Sequence, residues 1–88
     1  MEGVPQGLSV GAIGIEMARV EGVRSVHDLH VWTLSGSRTA LSAHVVVASM
    51  AQWERILGEL RERLHKNFGI DHVTLQPELP PVRPLVRY

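Results

Sequence analysis

At 88 residues the chain has the size of one small domain, with nine Lys and Arg balancing nine Asp and Glu and no cysteine. The balanced charge supplies no field to draw it onto phosphate backbones or anionic lipid, so nucleic acid is not an expected partner. The lack of thiols excludes disulfides, thiolate metal sites and thiol nucleophiles together, and a core this small is commonly helped by a metal or a partner subunit.

Residues 1–8, "MEGVPQGL", carry Gly and Pro but neither the basic region nor the apolar core of a signal peptide. They read as a segment leading in from something larger. No apolar run approaches the roughly 18 residues of a membrane span, so the chain as given reads as soluble. Ser9 can cap a first helix whose apolar positions Val10, Ile13, Met17 and Val20 recur at helical spacing, with Gly22 placed to end it. Gly11 and Gly14 weaken this helix, so tertiary packing must hold it.

From Val23 to Leu34 β-branched and aromatic residues dominate, "SGSR" at residues 35–38 makes a turn, and Thr39 to Val47 forms a second such run. The pattern predicts a β-hairpin. Alternation puts Leu41, Ala43, Val45 and Val47 on one face of the second strand and Ser42 and His44 on the other. Applied to the first strand, it puts His30 and Trp32 opposite His27.

Ser49 followed by Gln52 reads as a capping box, and Trp53, Ile56, Leu57, Leu60, Leu64 and Phe68 then form one apolar stripe ending at Gly69. Glu59 with Arg63 and Glu62 with Lys66 are spaced i to i+4, so this charge run reads as a solvated face rather than a binding patch. A last strand, Ile70 to Gln76, places Val73 and Leu75 toward the core and His72, Thr74 and Gln76 away from it. Pro80, Pro81 and Pro84 then forbid helix and central strand, which makes residues 79–88 an extended or flexible tail.

The order αββαβ predicts an α+β fold, a three-stranded sheet with both helices on one face. The other sheet face is left open, to be polar, covered by a second copy or used for a ligand. No GxSxG, glycine-rich phosphate loop or carboxylate pair appears, so no enzyme and no small-molecule substrate is expected. Metal chemistry here must use imidazole and carboxylate, assembled from separate strands because CxxC and HExxH are absent. Taken singly, His27 and His44 read first as half-exposed strand histidines, and His30 as a packed histidine beside Trp32. His65 suits the negative end of the second helix's dipole. Asp71, His72 and Glu78 bracket the last strand as potential ligands.

"HDLHVWTLSGSRTALSAHVVV", residues 27–47, and "IDHVTLQPE", residues 70–78, resemble the hairpin and the last strand of the cytoplasmic C-terminal domain of cation diffusion facilitator transporters, in particular bacterial zinc exporters. The likeness covers about residues 6–78. It implies a metallochaperone-like, ferredoxin-like αββαβ sandwich spanning 9–78, preceded by a linker from the membrane domain at 1–8 and followed by the tail. It further implies a cytoplasmic domain of an inner- or plasma-membrane antiporter that forms a homodimer and binds Zn2+, with Cd2+, Co2+ or Ni2+ as ions of similar preference. The family's histidine ligands carry over to His27 and His44, its acidic ligand to Glu78, and its variable upstream ligand to His72 or Asp71. One branch of the family has a ligand histidine where this chain has Gln76 and a further, bridging histidine near Glu54, which Glu54 could replace as a carboxylate. Asp28, His30, Glu54 and His65 complete the candidates as weaker ones. Two other readings use the same residues: a free-standing zinc buffer or metallochaperone, and a structural dimerisation module in which the histidines only pack.

Overall fold

A computed structural model of the chain describes residues 7–81. Helix α1 spans Val10–Ala18, strands β1 and β2 span Val23–Thr33 and Thr39–Val47, helix α2 spans Trp53–Phe68, and strand β3 spans His72–Glu78. The order is the αββαβ expected. The sheet runs β1-β2-β3, with β2 in the centre, antiparallel to β1 and parallel to β3.

Helical periodicity and strand alternation meet in one core. Ile13 and Met17 of α1, Val20 beyond it, and Ile56, Leu60 and Leu64 of α2 are buried against Leu41, Ala43, Val45 and Val47 of β2 and Val31 of β1. Trp53 and Phe68 close the two ends of the α2 stripe as partly buried neighbours. Both helices therefore cover one face of the sheet and leave the other uncovered.

The local signals were accurate in kind and displaced in detail. Ser9 caps α1 by accepting from the Ala12 amide, but the helix ends at Ala18, and Gly22 instead forms the turn into β1 at φ +100°. A Cβ there would stand 2.8 Å from Cδ1 of Ile56, so this turn needs glycine both for its backbone and for the close approach of α2. Ser49 does not form a capping box. Its hydroxyl accepts from the Ala51 amide and starts a 3-10 turn, Met50–Gln52, that leads into α2. At the other end Gly69 adopts φ +69°, and its amide and that of Ile70 donate to the carbonyls of His65 and Leu64, closing the helix.

The last strand begins and ends two residues later than the alternation suggested, so Glu78 lies within it rather than after it. Pro77 sits in this edge strand, where a missing N–H is tolerated. Of the expected tail, residues 82–88 lie outside the described residues, as do residues 1–6 of the leading segment.

The largest departure is in β1. Its register against β2 slips twice, between Val23 and Ser25 and between His27 and His30. At the second slip Asp28 adopts φ +54°, and Asp28 and Leu29 together fill an interval that β2 spans with Ala43 alone. This β-bulge resets the alternation. His27 pairs with His44 and His30 with Ser42, so His30 and Trp32 share the open face with His27, contrary to the expectation from simple parity.

Candidate metal centre

Three strands deliver one residue each to a single point on the open face. β1 places His27 directly opposite His44 of β2, and β3 brings Glu78 alongside, two residues beyond Gln76, the register partner of His44. Nε2 of His27 lies 2.8 Å from Oε1 of Glu78, and Nδ1 of His44 lies 2.6 Å from its Oε2. The two imidazole rings meet edge to face, centroids 5.1 Å apart. One potential ligand atom from each of the three residues falls within 4.8 Å of the others. Asp28 stands beside them, with Oδ2 3.3 Å from Nδ1 of His27 and 3.7 Å from Nδ1 of His44.

The donor set suits a borderline-soft divalent cation, since imidazole nitrogen and carboxylate oxygen are ordinary zinc ligands. One atom tests the fit directly. Nδ1 of His44 is buried and stands 2.6 Å from Oε2 of Glu78 without forming a regular hydrogen bond. The pair is close enough for strong electrostatic interaction. A buried imidazole nitrogen beside a carboxylate, without a regular hydrogen bond, is costly to bury alone, and a cation bound by both groups would satisfy it. The side chains of His44 and Glu78 remain 36% and 30% exposed, so an ion can enter from solvent. A hollow of about 300 Å³ adjoins the cluster, lined by Asp28, His30, Ser42, His44, Thr74 and Gln76 among others.

Not every residue singled out in the sequence arrives here. His72 pairs with Ala40, four residues along β3 from the level of His44, or roughly 13 Å at the rise of a strand. Its Nε2 accepts from Arg38 in the hairpin turn. Asp71 accepts from Nδ1 of His65 at 2.7 Å, a surface pair joining the end of α2 to the start of β3. Glu54 lines a groove on the helical side with Glu16 and Arg63, across the sheet from the cluster. His30 lies on the correct face, in the adjoining hollow. Asp28, ranked low in the sequence, is in contact with both histidines; the signal for it was its residue type, because Asp is among the few side chains that tolerate a left-handed backbone.

Electrostatics couple the cluster in the metal-free state. The hydrogen bond with Glu78, aided by the charges of Glu78 and Asp28, raises the His27 imidazole above its ordinary 6.5. The same hydrogen bond, with help from His44, lowers the Glu78 carboxyl below its ordinary 4.5. Protonated His27 thus stabilises the fold fully below about pH 6.5, an effect lost as pH rises through its raised value. Ionised Glu78 stabilises it above about pH 4.5, an effect lost as pH falls through its lowered value. The pair contributes most between these limits. In chelator, Glu78→Gln is expected to lower the melting temperature relative to the parent chiefly in that window, and thermal scans at pH 5.5 and 9 check it. An equal difference at both values would remove the coupling.

The match to known proteins follows the same elements. Residues 5–80 match the family described as "Cation efflux protein, cytoplasmic domain". The chain belongs to this family. This cation efflux domain is 38% identical over 82 residues to the metal cation efflux system protein CzcD of Cupriavidus metallidurans, covering 92% of the chain and 26% of CzcD. It is 38% identical over 80 residues to the human proton-coupled zinc antiporter SLC30A8, covering 91% of the chain and 22% of that protein. The chain thus spans about a fifth of the length of the curated relatives it matches. Among solved structures, the metal-bound C-terminal domain of CzcD superposes with a TM-score of 0.74 at 35% identity, over 82% of this chain and all of that one. CzrB in its Zn form gives 0.73 at 26% identity, over 96% and 99%. The metallochaperone-like α+β fold and the family resemblance drawn from the sequence are both upheld. Among the described residues no helix is long and apolar enough to cross a membrane.

Proposed function

We propose that the chain is the cytosolic metal-sensing and dimerisation domain of a zinc-exporting antiporter, continuous with a membrane domain in the full-length protein, and that zinc binds at His27, His44 and Glu78. The observation that carries this reading is the convergence of potential ligand atoms from three strands, one of them a buried imidazole nitrogen that makes no regular hydrogen bond. Two nitrogens and a carboxylate leave one position of a tetrahedral zinc for water or another donor. The relatives, a metal cation efflux system protein and a proton-coupled zinc antiporter, support zinc as the ion. Cd2+, Co2+ and Ni2+ accept the same ligands, and discrimination among them falls to geometry and availability.

The regulatory step is a linkage. Zinc shifts a homodimer toward a closed, transport-competent arrangement only to the extent that it binds that arrangement more tightly than the open one. At about one hundred times its dissociation constant, an ion that binds only the folded state adds roughly 2.7 kcal/mol of stability. Thermal unfolding with and without zinc in a non-chelating buffer, alongside sedimentation at micromolar concentration, tests both parts. The expected result is a higher melting temperature and a dimer with zinc. An unchanged melting temperature would remove the metal site, and a monomer under both conditions would remove the dimer on which the shift acts.

A further inference from the structure

In an unbroken strand, consecutive side chains point to opposite faces, so with His27 on the open face Asp28 would point into the apolar core. The bulge prevents this. With Asp28 at φ +54°, its carboxylate reaches both histidines on the open face, while Leu29 turns inward and packs against the core beside Gly14 of α1. A left-handed backbone is uncommon outside glycine and, though Asp tolerates it, holds this side chain where the strand's alternation would not place it.

His27 has a carboxylate at each ring nitrogen: Glu78 at Nε2, 2.8 Å, and Asp28 at Nδ1, 3.3 Å. To hold a metal the ring must give up one proton and keep the other. Glu78 is shared with Nδ1 of His44, so a cation bound by all three residues sits on the Nε2 side of His27. Nδ1 then keeps its proton and faces Asp28. We infer that Asp28 is the positioning residue of the site: its carboxylate accepts from Nδ1–H of His27, fixes the ring's tautomer and orientation, and leaves Nε2 as the ligand atom. Histidine ligands commonly donate their second N–H to a carboxylate in this way. His44 takes the opposite assignment, ligating through Nδ1. The inference rests on the proposed metal site and adds to it which atom of each ring binds and what aims the first ring.

The competing account is that Asp28 merely turns the chain. Glycine would do that better, so Asp28→Gly separates the two. If Asp28 positions His27, Asp28→Gly keeps or raises the melting temperature of the metal-free chain while its zinc affinity, by calorimetry, falls about 10- to 100-fold. Asp28→Asn, whose amide oxygen still accepts, recovers part of the loss. In the zinc-loaded parent, nitrogen NMR of the imidazoles should place the metal on Nε2 of His27 and a proton on Nδ1. Asp28→Gly binding zinc as tightly as the parent, or zinc found on Nδ1 of His27, overturns the assignment while leaving the metal site intact. A parent that takes up no zinc overturns both.

Discussion

Replacing His44 with alanine is expected to weaken zinc binding by ~100-fold or more, beyond the 10- to 100-fold loss typical of an outer-shell partner, because it deletes one of the proposed direct ligands. The metal-free fold should tolerate the change. His44 sits on the central strand between the core residues Ala43 and Val45, but its own ring lies on the open face, and its Nδ1 is buried without a hydrogen bond. Removing that ring forfeits partial packing and also relieves an unsatisfied nitrogen, so the apo domain should lose only about 1 kcal/mol or less. Imidazole must be unprotonated to bind, so metal uptake by the parent releases protons, seen by calorimetry in two buffers of different ionisation enthalpy. Should His44→Ala bind zinc as the parent does while losing several kcal/mol of apo stability, His44 is a packing residue and the site lies elsewhere.

Leu60→Ala is expected to do the reverse. Leu60 is fully buried at the middle of the α2 stripe, in the same cluster as Ile13, Ile56 and Leu64. Truncating it removes the transfer free energy of the lost methyl groups and leaves a cavity, together about 2–5 kcal/mol. With total stability on the order of 5–15 kcal/mol and roughly 4–8 °C of melting temperature per kcal/mol, a fall of at least about 8 °C should appear in a thermal scan. The ligand atoms lie across the sheet, so the folded fraction should bind zinc with the parent's affinity, and excess zinc should restore part of the melting temperature by mass action. A variant with unchanged stability would mean that α2 is not seated on this core.

How legible each part was depended on how local its cause is. The α2 stripe and the inward face of β2 could be read because period 3.6 and period 2 are properties of a few consecutive residues. The hairpin followed from "SGSR", whose turn places the Leu34 amide on the Arg38 carbonyl and Gly36 at φ +62°. Glu78 and the two histidines were named through family likeness. Their meeting was not derivable from spacing, because it requires β3 to add in parallel beside β2 and β1 to keep His27 opposite His44. The misplacement of His30 has one cause, the extra residue at Asp28 and Leu29. A single inserted residue inverts the parity of everything beyond it, and nothing in "HDLH" marks it except that Asp tolerates the backbone required. His72 and Asp71 were plausible by nearness to the strand, but strand rise carries them to its far end.

Both edges of this small sheet are interrupted, β1 by two slips in register and β3 by Pro77. An unbroken border strand is a template onto which a foreign strand can zip, the route to amyloid and to runaway sheet growth. Kinks on one border and a missing amide on the other deny an incoming strand a continuous ladder. The bulge that turns Asp28 toward the histidines therefore also helps to guard the chain against fibril formation at high local concentration.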